Sequence, residues 1–145
     1  LHNPADRDHC IQYMVAVPLI FGRLTASDYE DSVARDARID DLREKIVCVE
    51  NPQFTAGYHD PEKRSIANAV TLELKDGTRL RKLVEFPLGH KRRRSEGIPL
   101  RESKFSTNVG RRFGAERQRA ILDLSLDQSR LEETPVHEYV DLYVV

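Results

Sequence analysis

The chain has 145 residues and a mass of 16.7 kDa, with 23 basic and 24 acidic side chains and a net charge of -1. That balance excludes a globally basic nucleic-acid binder and an acidic disordered tail. The length admits one domain with a sizeable core but not a large two-lobed enzyme, and no apolar run approaches the ~20 residues that span a bilayer. The chain starts at Leu1, and its only methionine, Met14, lies inside an apolar stretch. A processed or excised piece of a longer protein is therefore expected, with its function residing in the parent. Cys10 and Cys48 form no disulfide framework and read as free thiols in a reducing, cytoplasmic setting.

The first predicted element is a helix capped by Asn3 with Pro4 in its first turn. It carries an apolar stripe of Ile11, Met14, Val15 and Leu19, a disturbance at Pro18 and a stop at Gly22. Ser27 and Glu30 have the spacing of a capping box ahead of a second short helix. Asp36 caps a third, with Ile39 and Leu42 on its inner face. Ile46 to Val49 is β-rich and predicts a strand ending at Asn51-Pro52.

Residues 51–64 read as loop. The clearest β signal follows, with Val70, Leu72 and Leu74 alternating with polar residues before a two-residue turn at Asp76-Gly77. Leu80, Val84 and Phe86 continue on the return strand. The polar, basic stretch 87–99 reads as a loop or linker. Beyond it, Phe105, Val109 and Phe113 share a helix face, and Ile121, Leu124 and Leu131 mark a longer helix from about Ala115. Pro135 opens a last helix with Val136, Tyr139, Val140 and Tyr143 on one side. Helices, a few strands, then helices predict an α+β fold with a small antiparallel sheet.

Two constellations bear chemistry. On one continuous helix His9, Gln12, Tyr13 and Ala16 share a face, and a His and a phenol at that spacing suit carboxylate binding or proton transfer. The competing reading is a solvated helix side with a half-buried Tyr. The second constellation is Gly89-His90-Lys91-Arg92-Arg93-Arg94, whose guanidinium forks suit carboxylates and phosphates. It reads equally as a solvated charge run, with a polyanion site and a small carboxylate site as the functional options. No aromatic residue is interleaved with the run, which argues against nucleic acid. The five histidines show no metal-ligand spacing, and no P-loop, nucleophile elbow or dinucleotide fingerprint is present.

Asn3 through Tyr13, Tyr58 through Arg64, Asp76-Gly77-Thr78-Arg79, the Gly89-His90 basic stretch through Pro99, and Val136 through Val145 together resemble the MmgE/PrpD family. The resemblance runs nearly end to end but covers only about the last third of the family's length. It implies a hydro-lyase parent that dehydrates 2-methylcitrate to 2-methyl-cis-aconitate in propionate breakdown, with no iron–sulfur cluster. It further implies that residues 1–97 belong to an α+β lid domain and residues 98–145 return to a helical domain. By the same resemblance Tyr13 and His9 are the catalytic candidates, while Gln12, His90, Arg92, Arg93 and Arg94 are candidate contacts to a small tricarboxylate. Neither nucleic acid nor membrane is expected as a partner, and oligomerisation of the parent through the apolar C-terminal helices is a further structural reading. The return strand Arg81–Phe86 is one residue shorter than the family pattern, a change that flips strand faces or needs a bulge.

Overall fold

The first helix begins where its sequence says it should. Asn3 Oδ1 accepts the Asp6 N–H at 2.9 Å, and Pro4 occupies the first turn. The computed structural model describes residues 1–145 as an α+β architecture of nine α-helices, two 3-10 turns and a two-stranded antiparallel sheet. Backbone contacts divide the chain into two compact units, Leu1–Thr55 and Ala56–Val145. No helix is long and apolar enough to cross a membrane.

In the first unit the single expected helix is two, α1 (Pro4–Asp8) and α2 (Ile11–Phe21). Cys10 between them is extended, at φ -105° and ψ 105°. Helix α2 passes through Pro18 and ends at Gly22, whose φ of +70° is the left-handed conformation glycine adopts without penalty. The expected apolar stripe is not the inner face. Ile11 and Leu19 are exposed, whereas Tyr13, Ala16 and Val17 are buried against Ile39. Almost every residue of α2 is apolar, so periodicity cannot choose a face and packing decides.

The expected capping box at Ser27 and Glu30 is displaced. Asp28 instead folds back to accept the N–H and Oγ of Thr25, closing a 3-10 turn over Ala26–Tyr29. After α3 (Asp31–Ala34), Asp36 accepts the Arg38 N–H and starts α4 (Ala37–Arg43), whose Ile39 and half-buried Leu42 point inward as expected. Residues 46–49 are not a strand. They have no ladder partner, and Val47 and Val49 are largely exposed. Asn51-Pro52, expected to lie in a loop, opens α5 (Pro52–His59), with Asn51 Oδ1 accepting the Gln53 N–H.

In the second unit β1 (Asn68–Glu73) pairs with β2 (Arg79–Val84), with Leu72 opposite Leu80 and Asn68 opposite Val84. The register runs unbroken with no bulge along either strand, and β2 ends at Val84, short of the Phe86 expected on it. The turn has three residues rather than two. Leu74 donates to Thr78 O, Gly77 donates to Leu74 O, and Gly77 has φ +83°. This is a type I turn closed by a left-handed glycine.

The stretch expected to be a linker is structured. A 3-10 turn at Lys91–Arg93 leads into α6 (Arg94–Gly110), which is continuous across residues 97 and 98. Helices α7 (Ala115–Ser125), α8 (Gln128–Glu133) and α9 (Val136–Asp141) follow. Asp127 caps α8 and splits the expected longer helix in two. Val109 of α6 and Ile121 of α7 are buried, and Gln118 bonds the Ser106 carbonyl between these helices. On α9 only Tyr139 turns inward, its hydroxyl meeting Ser125 Oγ and the Tyr143 hydroxyl, while Val136 and Val140 remain exposed.

Candidate functional site

The break between α1 and α2 takes His9 off the face that holds Gln12 and Tyr13, because the helix that would align them does not exist. His9 is exposed, with Nδ1 donating toward the Ala5 carbonyl at 2.9 Å and lying 2.5 Å from Asp8 Oδ1. The Ala5 bond first, and then Asp8, raise its pKa above the ordinary histidine value. Gln12 is half-buried and accepts from Cys10 Sγ. Tyr13 is 2% exposed. Its hydroxyl donates to the Asp28 carbonyl at 2.6 Å, its ring stacks on Tyr29, and burial pushes its phenol pKa up.

Sequence reasoning missed Arg7. It is 5% exposed, with Nη1 on the Tyr29 carbonyl at 2.6 Å and Nη2 on Asp31 at 2.7 Å. Arg7, Tyr13 and Arg35 border a 340 Å³ cleft together with Asp31 and Asp40. Two guanidinium groups face two carboxylates, so the cleft presents fixed charges of both signs. Arg7 gave no sequence signal, since it stands between two aspartates in a five-residue helix that has no periodicity to read.

The basic loop of the second unit is built around Phe86 and His90. His90 is buried, its ring centroid 4.7 Å from that of Phe86. His90 Nε2 donates to the Arg64 carbonyl at 2.9 Å, while Nδ1 accepts the Arg92 N–H at 3.1 Å. Those two partners fix the neutral Nε2–H tautomer. Arg92 lays its guanidinium over the Phe86 ring and donates to the Glu62 carbonyl at 2.7 Å. Arg93 makes a two-pronged pair with Glu96 and also donates to the Phe86 carbonyl. Lys91 and Arg94 are exposed and have no hydrogen-bond or ion-pair partner in the chain.

The run is therefore not one uniform charge patch. His90 and Arg92 hold two loops together and Arg93 braces its own, leaving Arg94 as the member of the expected set with a free guanidinium. The sequence could not show this division, because the partners of Arg92 and His90 lie 30 and 26 residues away.

The MmgE/PrpD C-terminal domain model matches residues 1–128. Over the whole chain, the sequence is 65% identical to 2-methylcitrate dehydratase of Escherichia coli K12 and 67% identical to that of Cupriavidus necator. It is 52% identical, over 99% of its length, to the mitochondrial 2-methylcitrate dehydratase of Yarrowia lipolytica. The chain spans only 30%, 30% and 28% of the lengths of these three relatives.

Proposed function

The chain belongs to the MmgE/PrpD C-terminal domain family, and on that premise we propose that it is part of a cytoplasmic hydro-lyase that dehydrates 2-methylcitrate in propionate catabolism. The observation that carries this reading is the 65% identity, over the whole chain, to a protein named for that reaction. Dehydration breaks a C–H bond α to a carboxylate and the C–O bond of the neighbouring hydroxyl. A double bond forms, the proton passes to a base, and the hydroxyl leaves as water after protonation by an acid. In this reading residues 1–97 act in the lid and residues 98–145 return to the helical domain. Together they grip the substrate and exclude water rather than supplying the whole catalytic set.

His9 and Tyr13 enter as the proton-handling candidates. His9 is the better placed for exchange, since its Nε2 is unpartnered and its raised pKa keeps it cationic closer to neutral pH. Tyr13 already donates its proton to Asp28 O, so it acts by position or as an acceptor. Gln12 and the basic loop supply carboxylate contacts. Within the loop Arg94 reaches the substrate directly, while His90, Arg92 and Arg93 set the loop's shape. A nucleic-acid reading gains nothing from the structure, because two of the three consecutive arginines already have partners inside the chain.

A chimera provides the test. The matching segment of Escherichia coli 2-methylcitrate dehydratase is replaced by this chain, and formation of the conjugated product is followed by ultraviolet absorbance. We expect kcat/KM within about tenfold of the unaltered enzyme. A folded chimera with no turnover of 2-methylcitrate would overturn the reading. The isolated 145-residue chain should show no turnover above background.

A further inference from the structure

Arg64 is the only non-glycine residue of the chain with a positive φ, at +47°. It sits at the end of a single helical turn in which its N–H bonds the Asp60 carbonyl at 2.8 Å, a position where glycine or asparagine is the usual occupant. Several backbone groups around it are held. The Asp60 carboxylate takes the Glu62 and Lys63 N–H groups, Ser65 N–H bonds the Gly57 carbonyl, and His90 grips the Arg64 carbonyl. Ser65 is itself buried, packed so close to Gly57 that a Cβ there would meet Ser65 Oγ at 2.7 Å.

The backbone is thus locked in a conformation that an arginine side chain disfavours, while that side chain stands exposed with no partner. A turn that served shape alone would be better served by glycine. Of the neighbouring cations, Lys91 and Arg94 are also free, whereas Lys63 pairs with Glu85 at 2.6 Å, Arg92 with the Glu62 carbonyl, and Arg93 with Glu96. The Arg64 carbonyl is bonded to the same His90 that shapes the loop leading into Arg94, so two exposed, unpaired arginines belong to two mutually latched segments.

We infer that Arg64 is a substrate-binding residue, gripping a carboxylate of the tricarboxylate with Arg94, and that its strained turn is retained to aim that guanidinium. The inference rests on the hydro-lyase reading for the identity of the ligand. Strain kept at one over-determined position is characteristic of functional sites, and Arg is suited to a bidentate carboxylate grip.

The test is Arg64→Gly in the full-length protein that carries this chain. Glycine removes the guanidinium and relieves the backbone together, so loss of binding cannot be blamed on misfolding. The melting temperature should stay the same or rise, KM for 2-methylcitrate should rise about tenfold or more, and Arg64→Lys should recover part of the loss. Unchanged KM in Arg64→Gly would overturn the inference, and so would a fall in its melting temperature, which would make the side chain structural. If the wild-type protein does not turn over 2-methylcitrate, the hydro-lyase reading fails and the inference is judged by thermal shift with citrate. A shift in wild type that is lost in Arg64→Gly upholds it, and equal responses in both overturn it.

Discussion

Asp28 is fully buried yet charged, and three contacts account for that. Its carboxylate accepts the Thr25 N–H at 2.7 Å and Thr25 Oγ at 2.8 Å, and Arg23 lies 3.1 Å away. Burial alone would raise the pKa, but the Thr25 bonds and the Arg23 charge outweigh it and hold the group below the ordinary carboxylate value. A depressed folded pKa stabilises the protein above the unfolded pKa, and that contribution is lost as pH falls through the folded one. Asp28→Asn keeps the shape, removes the charge and buries two amide donors. It should cost about 3 kcal/mol at neutral pH by urea denaturation. The gap to wild type should shrink as the pH drops below the usual aspartate range, and a gap constant down to acid pH would refute the charge-based account. The same residue explains Tyr13, whose hydroxyl bonds the Asp28 carbonyl and so joins the core of the first unit.

At the scale of elements, α6 is packed through a glycine. A Cβ built on Gly97 would overlap the Leu88 carbonyl oxygen, which is backbone and cannot swing away. Alanine is the better helix former by about 1 kcal/mol, but the steric overlap should exceed that gain. Gly97→Ala is therefore expected to destabilise by about 3 kcal/mol, while Gly114→Ala, with nothing within 4 Å and an ordinary φ of -64°, should cost only about 0.5–1 kcal/mol from a poorer N-cap. Equal effects at the two positions would show that Leu88 yields. The hairpin and α4 were legible in the sequence because their signals are local: alternation with a Gly-containing turn in one, an Asp cap with inward apolar residues in the other. Asn51-Pro52 is as good a helix start as Asn3-Pro4, yet it was masked by Gly57 and Pro61, which fall inside and just beyond the helix. Residues 46–49 have strand composition, but a strand is a pairing property, and nothing in the chain's own sequence supplies a partner. Helix α6 was obscured by Pro99 and four basic residues, although a contact between Gly97 and Leu88 fixes its first turns. The candidate site was half legible for a related reason. Residue types announced the cationic loop, but only a tertiary contact separates Arg92 from the free Arg64 and Arg94, while Arg93 pairs locally with Glu96.

For the whole molecule, composition and burial disagree. Hydrophobic residues make up 39% of the chain, an ordinary share, but only six of them are buried. The accessible surface is 11050 Å². Two independent domains the size of Leu1–Thr55 and Ala56–Val145 would together expose about 9,100 Å². The excess is carried by side chains such as Val47 and Val49, Val70 and Leu80 of the hairpin, and Val136 and Val140 of α9. Apolar area left in water gives up about 25 cal/mol per Å², a loss that matters because net stabilities are only about 5–15 kcal/mol. The isolated chain should therefore melt broadly, with a calorimetric enthalpy well below the roughly 100 kcal/mol expected of a well-packed protein of this length. Fused to the remaining segment of a dehydratase relative, the same residues should join one cooperative transition, and amide exchange at Val70, Leu80 and Val140 should slow. A sharp transition of full enthalpy from the isolated chain would show that these exposed residues need no cover, and would remove the energetic reason for reading the chain as one part of a larger fold.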